Sequence, residues 1–269
     1  DGLAGPLMTA LEGPIRVAFF GGADLEPGAR RFVALLESHP DINLVLGFCE
    51  GRSSPFLDLY RRRGILAVPG RTFALLAECL AFLRGPKEWL RLRRLAARAA
   101  AKFARVPNLH VPTVLAQLRA AAPDLGVIYG GPILKPELFR IPVFGTIGIH
   151  HGRAPQYRGK KTTFWEMYNG ESHAGITIQR ITEGLDTGDV LRQGAIPIGR
   201  KGYSCVWREV QEEGCRLFVD AILDVKHSRA QFRPQIGARG PLYRQPSPGT
   251  LLKFCLRRLF RRPQNGVPR

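Results

Sequence analysis

A chain of 269 residues, 45% of them hydrophobic, can bury one substantial core with room for appendages, which excludes a wholly disordered protein. The formal net charge is +18, but nine Lys/Arg against two Glu fall in residues 71–105 and ten Lys/Arg with no acid in residues 228–269. The remainder holds 21 basic and 20 acidic residues, so the charge belongs to two appendages, and a nucleic-acid-binding body is not expected.

Residues 1–14 lack periodicity and read as a loose leader to a main domain over 15–227. Residues 15–20 are an apolar run broken by Gly21-Gly22, a buried first strand entering a loop. A helix over 26–38, with Phe32, Leu35 and Leu36 inward, and a strand over 42–48 complete a βαβ unit, which implies an α/β fold with a mostly parallel twisted sheet. The full G-x-G-x-x-G fingerprint is absent, so no nicotinamide dinucleotide is expected.

A short helix over 57–63 and a strand over 65–68 precede the first basic appendage. There Phe73, Leu76, Leu80 and Leu83 repeat at helical spacing, Gly85-Pro86 interrupts, and Trp89, Leu92, Ala96, Ala99 and Phe103 resume the stripe. Lys87, Arg91, Arg94, Arg98 and Lys102 fall on another face. Two readings stand: an amphipathic element for an anionic membrane surface, or an apolar stripe packed on the core under solvated arginines.

A helix over 114–122 leads to a strand over 125–129 and the loop Gly130-Gly131-Pro132-Ile133-Leu134. Residues 143–149 form a strand delivering the pair His150-His151 into a loop rich in Gly, Pro and Arg. A helix over 163–169 and a strand over 175–181 follow, and Asp186 sits in a Gly-bracketed turn. An imidazole and a carboxylate converging at one sheet edge are the minimum for general acid–base work; the alternative is a strand-end histidine and a self-bonded turn residue. A strand over 190–198, a long helix over 204–226 and a basic tail, 228–269, with an amphipathic helix over 251–262 complete the chain.

The five cysteines show no C-x-x-C spacing and no His partners, so neither metal nor redox site is expected, and their scatter fits a reducing compartment. No apolar run approaches the roughly 20 residues that span a bilayer. With no secretory pattern at the start, a cytoplasmic protein is expected, one whose basic helices would place it at the periphery of the inner membrane surface.

Gly148-Ile149-His150, Pro155, Tyr157-Arg158-Gly159, Gly175-Ile176-Thr177-Ile178 and Leu185-Asp186-Thr187-Gly188-Asp189, in this order, resemble the folate-dependent formyltransferase superfamily: glycinamide ribonucleotide transformylase, methionyl-tRNA formyltransferase and sugar N-formyltransferases. The resemblance implies a Rossmann-like formyltransferase fold with the strand over 190–198 antiparallel, and transfer of a formyl group from 10-formyltetrahydrofolate to an amine. It implies His150 and Asp186 as catalytic residues, with Gly148 where the family has a catalytic Asn. Losing such a donor typically costs about a hundred- to a thousandfold in rate. His151 reads as a substitute donor or as a solvated loop residue, and Gly148 as opening space.

By the same resemblance Gly131, Pro132, Ile133, Leu134, Gly184 and Leu185 are expected on the folate side. Arg153, Tyr157, Arg158 and Gly159 are expected toward an anionic amine acceptor such as an amino-sugar nucleotide. The tRNA-formylating relatives append a C-terminal β-barrel that cannot be drawn from residues 228–269, so a tRNA acceptor is not expected. Formyl-donor hydrolysis, another acyl or one-carbon transfer, and a catalytically weak membrane-surface protein are the alternative readings.

Overall fold

A computed structural model describes residues 10–22, 27–51, 86–87, 90, 94 and 102–259. Outside these residues lie the element expectations at 57–63 and 65–68, most of the 71–105 appendage, and the ends of the leader and tail.

Seven strands form the main sheet: β1 (Ile15–Gly22), β2 (Ile42–Glu50), β3 (Phe103–Val106), β4 (Leu125–Ile128), β5 (Thr146–His150), β7 (His173–Arg180) and β8 (Val190–Pro197), in the order β3-β2-β1-β4-β5-β7-β8. The first five strands of that order pair in parallel and β7 and β8 antiparallel, so the expected α/β, mostly parallel sheet is present. The helices are α1 (Pro27–Ser38), α2 (Pro112–Ala121), α3 (Pro136–Phe139), α4 (Thr162–Asn169), α5 (Tyr203–Lys226) and α6 (Pro248–Leu259). A two-stranded sheet pairs β6 (Arg158–Gly159) with β9 (Leu242–Tyr243).

Strand alternation divides the core. Ile15, Val17 and Phe19 of β1 face one side, packing with Phe32 of α1 and Phe218 of α5, whose rings stack at 4.5 Å. Ala18 and Phe20 join Phe48, Leu109, Leu118 and Leu138 on the other side, against α2 and α3. Burying such residues contributes roughly 1.5–3 kcal/mol each relative to exposure.

The helical reading of residues 71–105 fails at its end. Phe103 is the first residue of edge strand β3, paired to β2 at Gly47, and a Cβ at Gly47 would lie 2.0 Å from the Phe103 ring. A non-local seat on a neighbouring glycine overrides the local helical spacing.

The order of strands fixes where a ligand can sit. The chain builds β1, β2 and β3 outward in one direction, then returns to add β4 on the other side of β1. In open α/β sheets the crevice outside the carboxyl ends of strands at such a reversal is the binding position. Gly21-Gly22 at the end of β1 and Gly130-Gly131 after β4 meet there, with an added Gly131 Cβ only 3.1 Å from the Gly21 carbonyl carbon.

Candidate functional site

His150 ends β5, next to β4 and the reversal. In the β5–β7 register Gly148 lies opposite Gln179 and His150 opposite Thr177, so these four share one face of the sheet. His150 is 7% exposed. Its Nδ1 lies 3.5 Å from Asp186 Oδ1, and its Nε2 is 2.6 Å from the Tyr157 carbonyl oxygen. The Tyr157 carbonyl is an acceptor, so Nε2 is the donor in that contact, while Nδ1 faces the Asp186 carboxylate. The structure therefore brings together the His150 and Asp186 that stand 36 positions apart, and it engages Nε2 in a hydrogen bond.

Asp186 is held in the left-handed region at φ 52°, which favours Gly, Asn and Asp. Its Oδ2 accepts from the Gly159 amide at 2.8 Å and its Oδ1 from Gln179 Nε2 at 3.3 Å. Gln235, from the tail, donates through Nε2 to Gln179 Oε1 (2.9 Å), the Asp186 carbonyl (3.0 Å) and the Gly188 carbonyl (2.8 Å). By occupying Gln179 Oε1, Gln235 turns the Gln179 amino group toward the Asp186 carboxylate. Arg158 donates through Nε and Nη2 to the Leu185 carbonyl, tying the loop after His150 to the Asp186 turn.

Gly148 does not open space. A Cβ there would lie 2.6 Å from Ile181 Cδ1 and 2.9 Å from Ile128 Cγ2, so apolar side chains fill the position. His151 does not stand beside His150 either. Alternation puts its ring on the opposite face, 5.4 Å from the Tyr129 ring and 4.9 Å from that of Trp207, with Nε2 3.2 Å from the Tyr129 hydroxyl. Burial drives its pKa down to about 3, with the neighbouring His150 and Lys161 adding to the effect, so it is neutral near pH 7. A substitute donor in the His150 pocket is excluded by that orientation.

The other expected residues divide by geometry. Ile133 is 68% and Leu185 41% exposed, so both can offer apolar surface to a flat ring, whereas Leu134 is 2% exposed and belongs to the core under α3. Gly131, Pro132 and Gly184 sit on the same two loops, and Gly131 holds φ 136°. Tyr157 reaches the site through its carbonyl; its hydroxyl donates to Glu171 at 2.8 Å and accepts from Asn169, and its ring stacks on Tyr243 at 5.2 Å. Arg153 is paired with Glu171 at 3.1 Å rather than aimed at His150. Gly159, at φ 97°, has no room for a side chain, since a Cβ would lie 2.3 Å from the Tyr243 carbonyl oxygen.

Gln179, Gln235 and Glu166 are absent from the sequence-based expectations. Gln179 carries a readable signal, a polar residue facing the same way as His150 in an apolar strand. Gln235 carries none, lying 49 residues from Asp186. Glu166 is 1% exposed and accepts from the Arg153 and Gly175 amides, supporting the loop from beneath. Burial pushes its pKa up to about 7, the amide donors opposing. Beyond Gln235 a cavity of about 540 Å³ is lined by Arg192, Arg229, Arg233 and Asp224. Asp224 already pairs with Arg192 at 2.6 Å and lies 3.9 Å from Arg229. Among the described residues no cluster of His, Cys, Asp or Glu could hold a metal ion.

Residues 92–222, which span both His150 and Asp186, match the family model described as formyl transferase. Over that stretch, just under half of its length, the chain is similar to the formyltransferases. It is 34% identical over 130 residues to a methionyl-tRNA formyltransferase of Synechococcus sp., a match covering 48% of this chain and 40% of that protein. It is also 44% identical over 93 residues to that of Geobacter metallireducens, covering 34% and 30%. The matches thus span well under half the length of these curated formyltransferases.

Among solved structures, the formyltransferase fold recurs in glycinamide ribonucleotide transformylase 1 from Symbiobacterium toebii, with a TM-score of 0.59 at 16% identity over 85% of this chain and 96% of that one. A sugar N-formyltransferase from Shewanella sp. gives 0.58 at 16% identity over 85% and 76%. WlaRD, a sugar 3N-formyltransferase solved with dTDP and 5-N-formyl-THF, gives 0.52 at 14% identity over 85% and 69%. At these identities the likeness establishes the shared fold.

Proposed function

We propose that the chain is an N-formyltransferase that moves a formyl group from 10-formyltetrahydrofolate to the amine of a small anionic acceptor, with an amino-sugar nucleotide as the acceptor class. The observation that carries the reading is His150 held 3.5 Å from Asp186 at the end of β5, beside the strand reversal. The match to the formyl transferase model and the sugar 3N-formyltransferase of the same fold solved in the presence of 5-N-formyl-THF support the donor.

The donor supplies the formyl carbon. The acceptor nitrogen bonds to that carbon as the bond to the folate nitrogen breaks, and the proton leaving the amine ends on the departing nitrogen. In this reading His150 donates toward the charge developing on the formyl oxygen, and Asp186 sets the charge of His150 and takes up the amine proton before it passes to the departing nitrogen. To meet substrate, one His150 nitrogen must release its present partner, and the Tyr157 carbonyl at Nε2 is the contact whose loss keeps Asp186 in place. Ile133 and Leu185 are the exposed apolar residues offered to the pterin, and Arg158 holds the Asp186 turn. Ile181 and Ile128 fill the place of the family Asn, so this chain works with one side-chain donor fewer at that point.

Incubation with 10-formyltetrahydrofolate, with and without amino-sugar nucleotides and other amines, tests the reading through tetrahydrofolate release. Release that requires the amine and is lost in His150→Ala supports it. Release without an amine assigns hydrolysis instead, and no release under either condition overturns both enzymatic readings.

A further inference from the structure

We propose that α6 is a membrane-contact helix that docks the chain on an anionic lipid surface through Leu251, Leu252 and Leu256. This inference is independent of the chemistry assigned to His150. The helix is anchored by one edge. Phe254 is 8% exposed with its ring 5.0 Å from that of Phe164, and Arg258 Nη2 donates to the carbonyls of Arg200 and Lys201. Ser247 accepts at its start from the Thr250 amide through Oγ (3.2 Å) and from the Leu251 amide through its carbonyl (3.0 Å), which sets the first turn.

That anchoring leaves the apolar face outward. At about 100° per residue, Leu251, Cys255, Leu252 and Leu256 share an arc of about 140° that excludes Phe254. Leu251 is 42%, Leu252 61% and Leu256 43% exposed, and Cys255 is exposed too. Isolated exposed leucines are ordinary, but three on one arc of one helix form a patch.

The surrounding charge selects the occupant. Lys253 lies about 60° beyond Leu256 at one edge of the arc and Arg258 about 20° from Leu251 at the other, whereas Arg257 lies on the far side with its guanidinium 4.6 Å from the Tyr168 ring, and no Asp or Glu occurs anywhere in residues 228–269. A leucine face edged by Lys and Arg is the composition of helices that lie in the headgroup layer of anionic bilayers. A second copy would bring two such cationic rims together and repel. A nucleic acid would meet the phosphate-seeking charges but leave the three leucines without an apolar partner.

The test is co-sedimentation of the whole chain with vesicles of phosphatidylcholine alone and of phosphatidylcholine with phosphatidylglycerol, with sedimentation velocity in the absence of lipid. The expected result is sedimentation with the phosphatidylglycerol vesicles, at least about tenfold above the neutral ones and weakened by salt. Leu252→Asp with Leu256→Asp lowers that partition by about tenfold or more, with melting temperature unchanged because both side chains are exposed. Lys253→Glu, a variant that leaves the apolar face intact, lowers the preference for phosphatidylglycerol. The proposal is overturned by absence of vesicle binding, by equal binding to neutral vesicles, or by binding that the double variant leaves intact. It is equally overturned if the double variant's effect is to dissolve a dimer in lipid-free solution.

Discussion

Gly148 is where a single side chain's absence decides the most. Introducing the family residue by Gly148→Asn drives a Cβ into Ile181 and Ile128, and overpacking of this kind costs about 1–3 kcal/mol. The variant is expected to melt lower and to gain no formyl-transfer rate, whereas Gly148→Asn with Ile181→Ala recovers part of the stability; thermal melts and initial rates of the three proteins check this. Two buried ionisable groups set the pH dependence of stability in opposite senses. Glu166, raised from 4.5 to about 7, keeps its proton longer in the folded state. Between those values the folded protein binds more protons than the unfolded one, so this contribution falls as pH rises through the window, by up to about 3 kcal/mol. His151, lowered from 6.5 to about 3, works the other way: the unfolded chain takes up the proton first, and stability falls as pH drops from 6.5. Urea melts across pH are expected to show Glu166→Gln abolishing the loss toward neutrality and His151→Gln flattening the acid limb.

The tail beyond α5 behaves as a strap across the loop that carries the site. β9 pairs with β6, the Lys160 amide donates to the Tyr243 carbonyl at 2.9 Å, and the Gly240 amide donates to the Pro155 carbonyl at 3.0 Å. Tyr243 stacks on Tyr157 and on Trp165, both at 5.2 Å, and the Phe232 ring lies 3.9 Å from the Arg180 guanidinium. Removing the Tyr243 ring costs two aromatic contacts of about 0.5–1.5 kcal/mol each beyond the area lost. In Tyr243→Ala, hydrogen exchange is expected to speed at the Lys160 and Gly240 amides while β1 and β4 keep their protection. Unchanged exchange at both amides would show the strap to hold without its rings. Gln235→Leu removes every donor to Gln179 Oε1, Asp186 O and Gly188 O made by that amide. Its expected signature is a fall in kcat of about tenfold with little change in the donor KM, since Asp186 loses its orientation rather than its place.

Across the whole molecule, stability and site placement have separate sources. The α1–sheet–α5 layer carries much of the core, and Phe218→Ala there is expected to cost about 3–5 kcal/mol by denaturant titration without altering the position of His150. The site lies at the carboxyl ends of β4, β5 and the turn after β7, where parallel strands end together and loops are free to vary. Among the described residues no helix is long and apolar enough to cross a membrane. Burial of the long helix end is completed by Lys226, 6% exposed and paired with Asp41 before β2, which closes α5 onto the first βαβ unit.

The amino-acid order by itself determined β1 as a buried apolar strand, the βαβ start and the long α5, because each is written in neighbours a few residues apart. The pairing of His150 with Asp186, by contrast, is expected only through the resemblance to a family motif. Folding in three dimensions decided the rest. Phe103 leaves a helical pattern for a strand because Gly47 of β2 seats its ring, and Gly148 is closed rather than open because Ile128 and Ile181 arrive from other strands and turns. His151 turns away from its neighbour because strand alternation separates adjacent side chains, and Gln235 reaches the Asp186 turn because the tail folds back over it. Such contacts join residues tens of positions apart, and no local periodicity encodes which side chain fills the space another leaves.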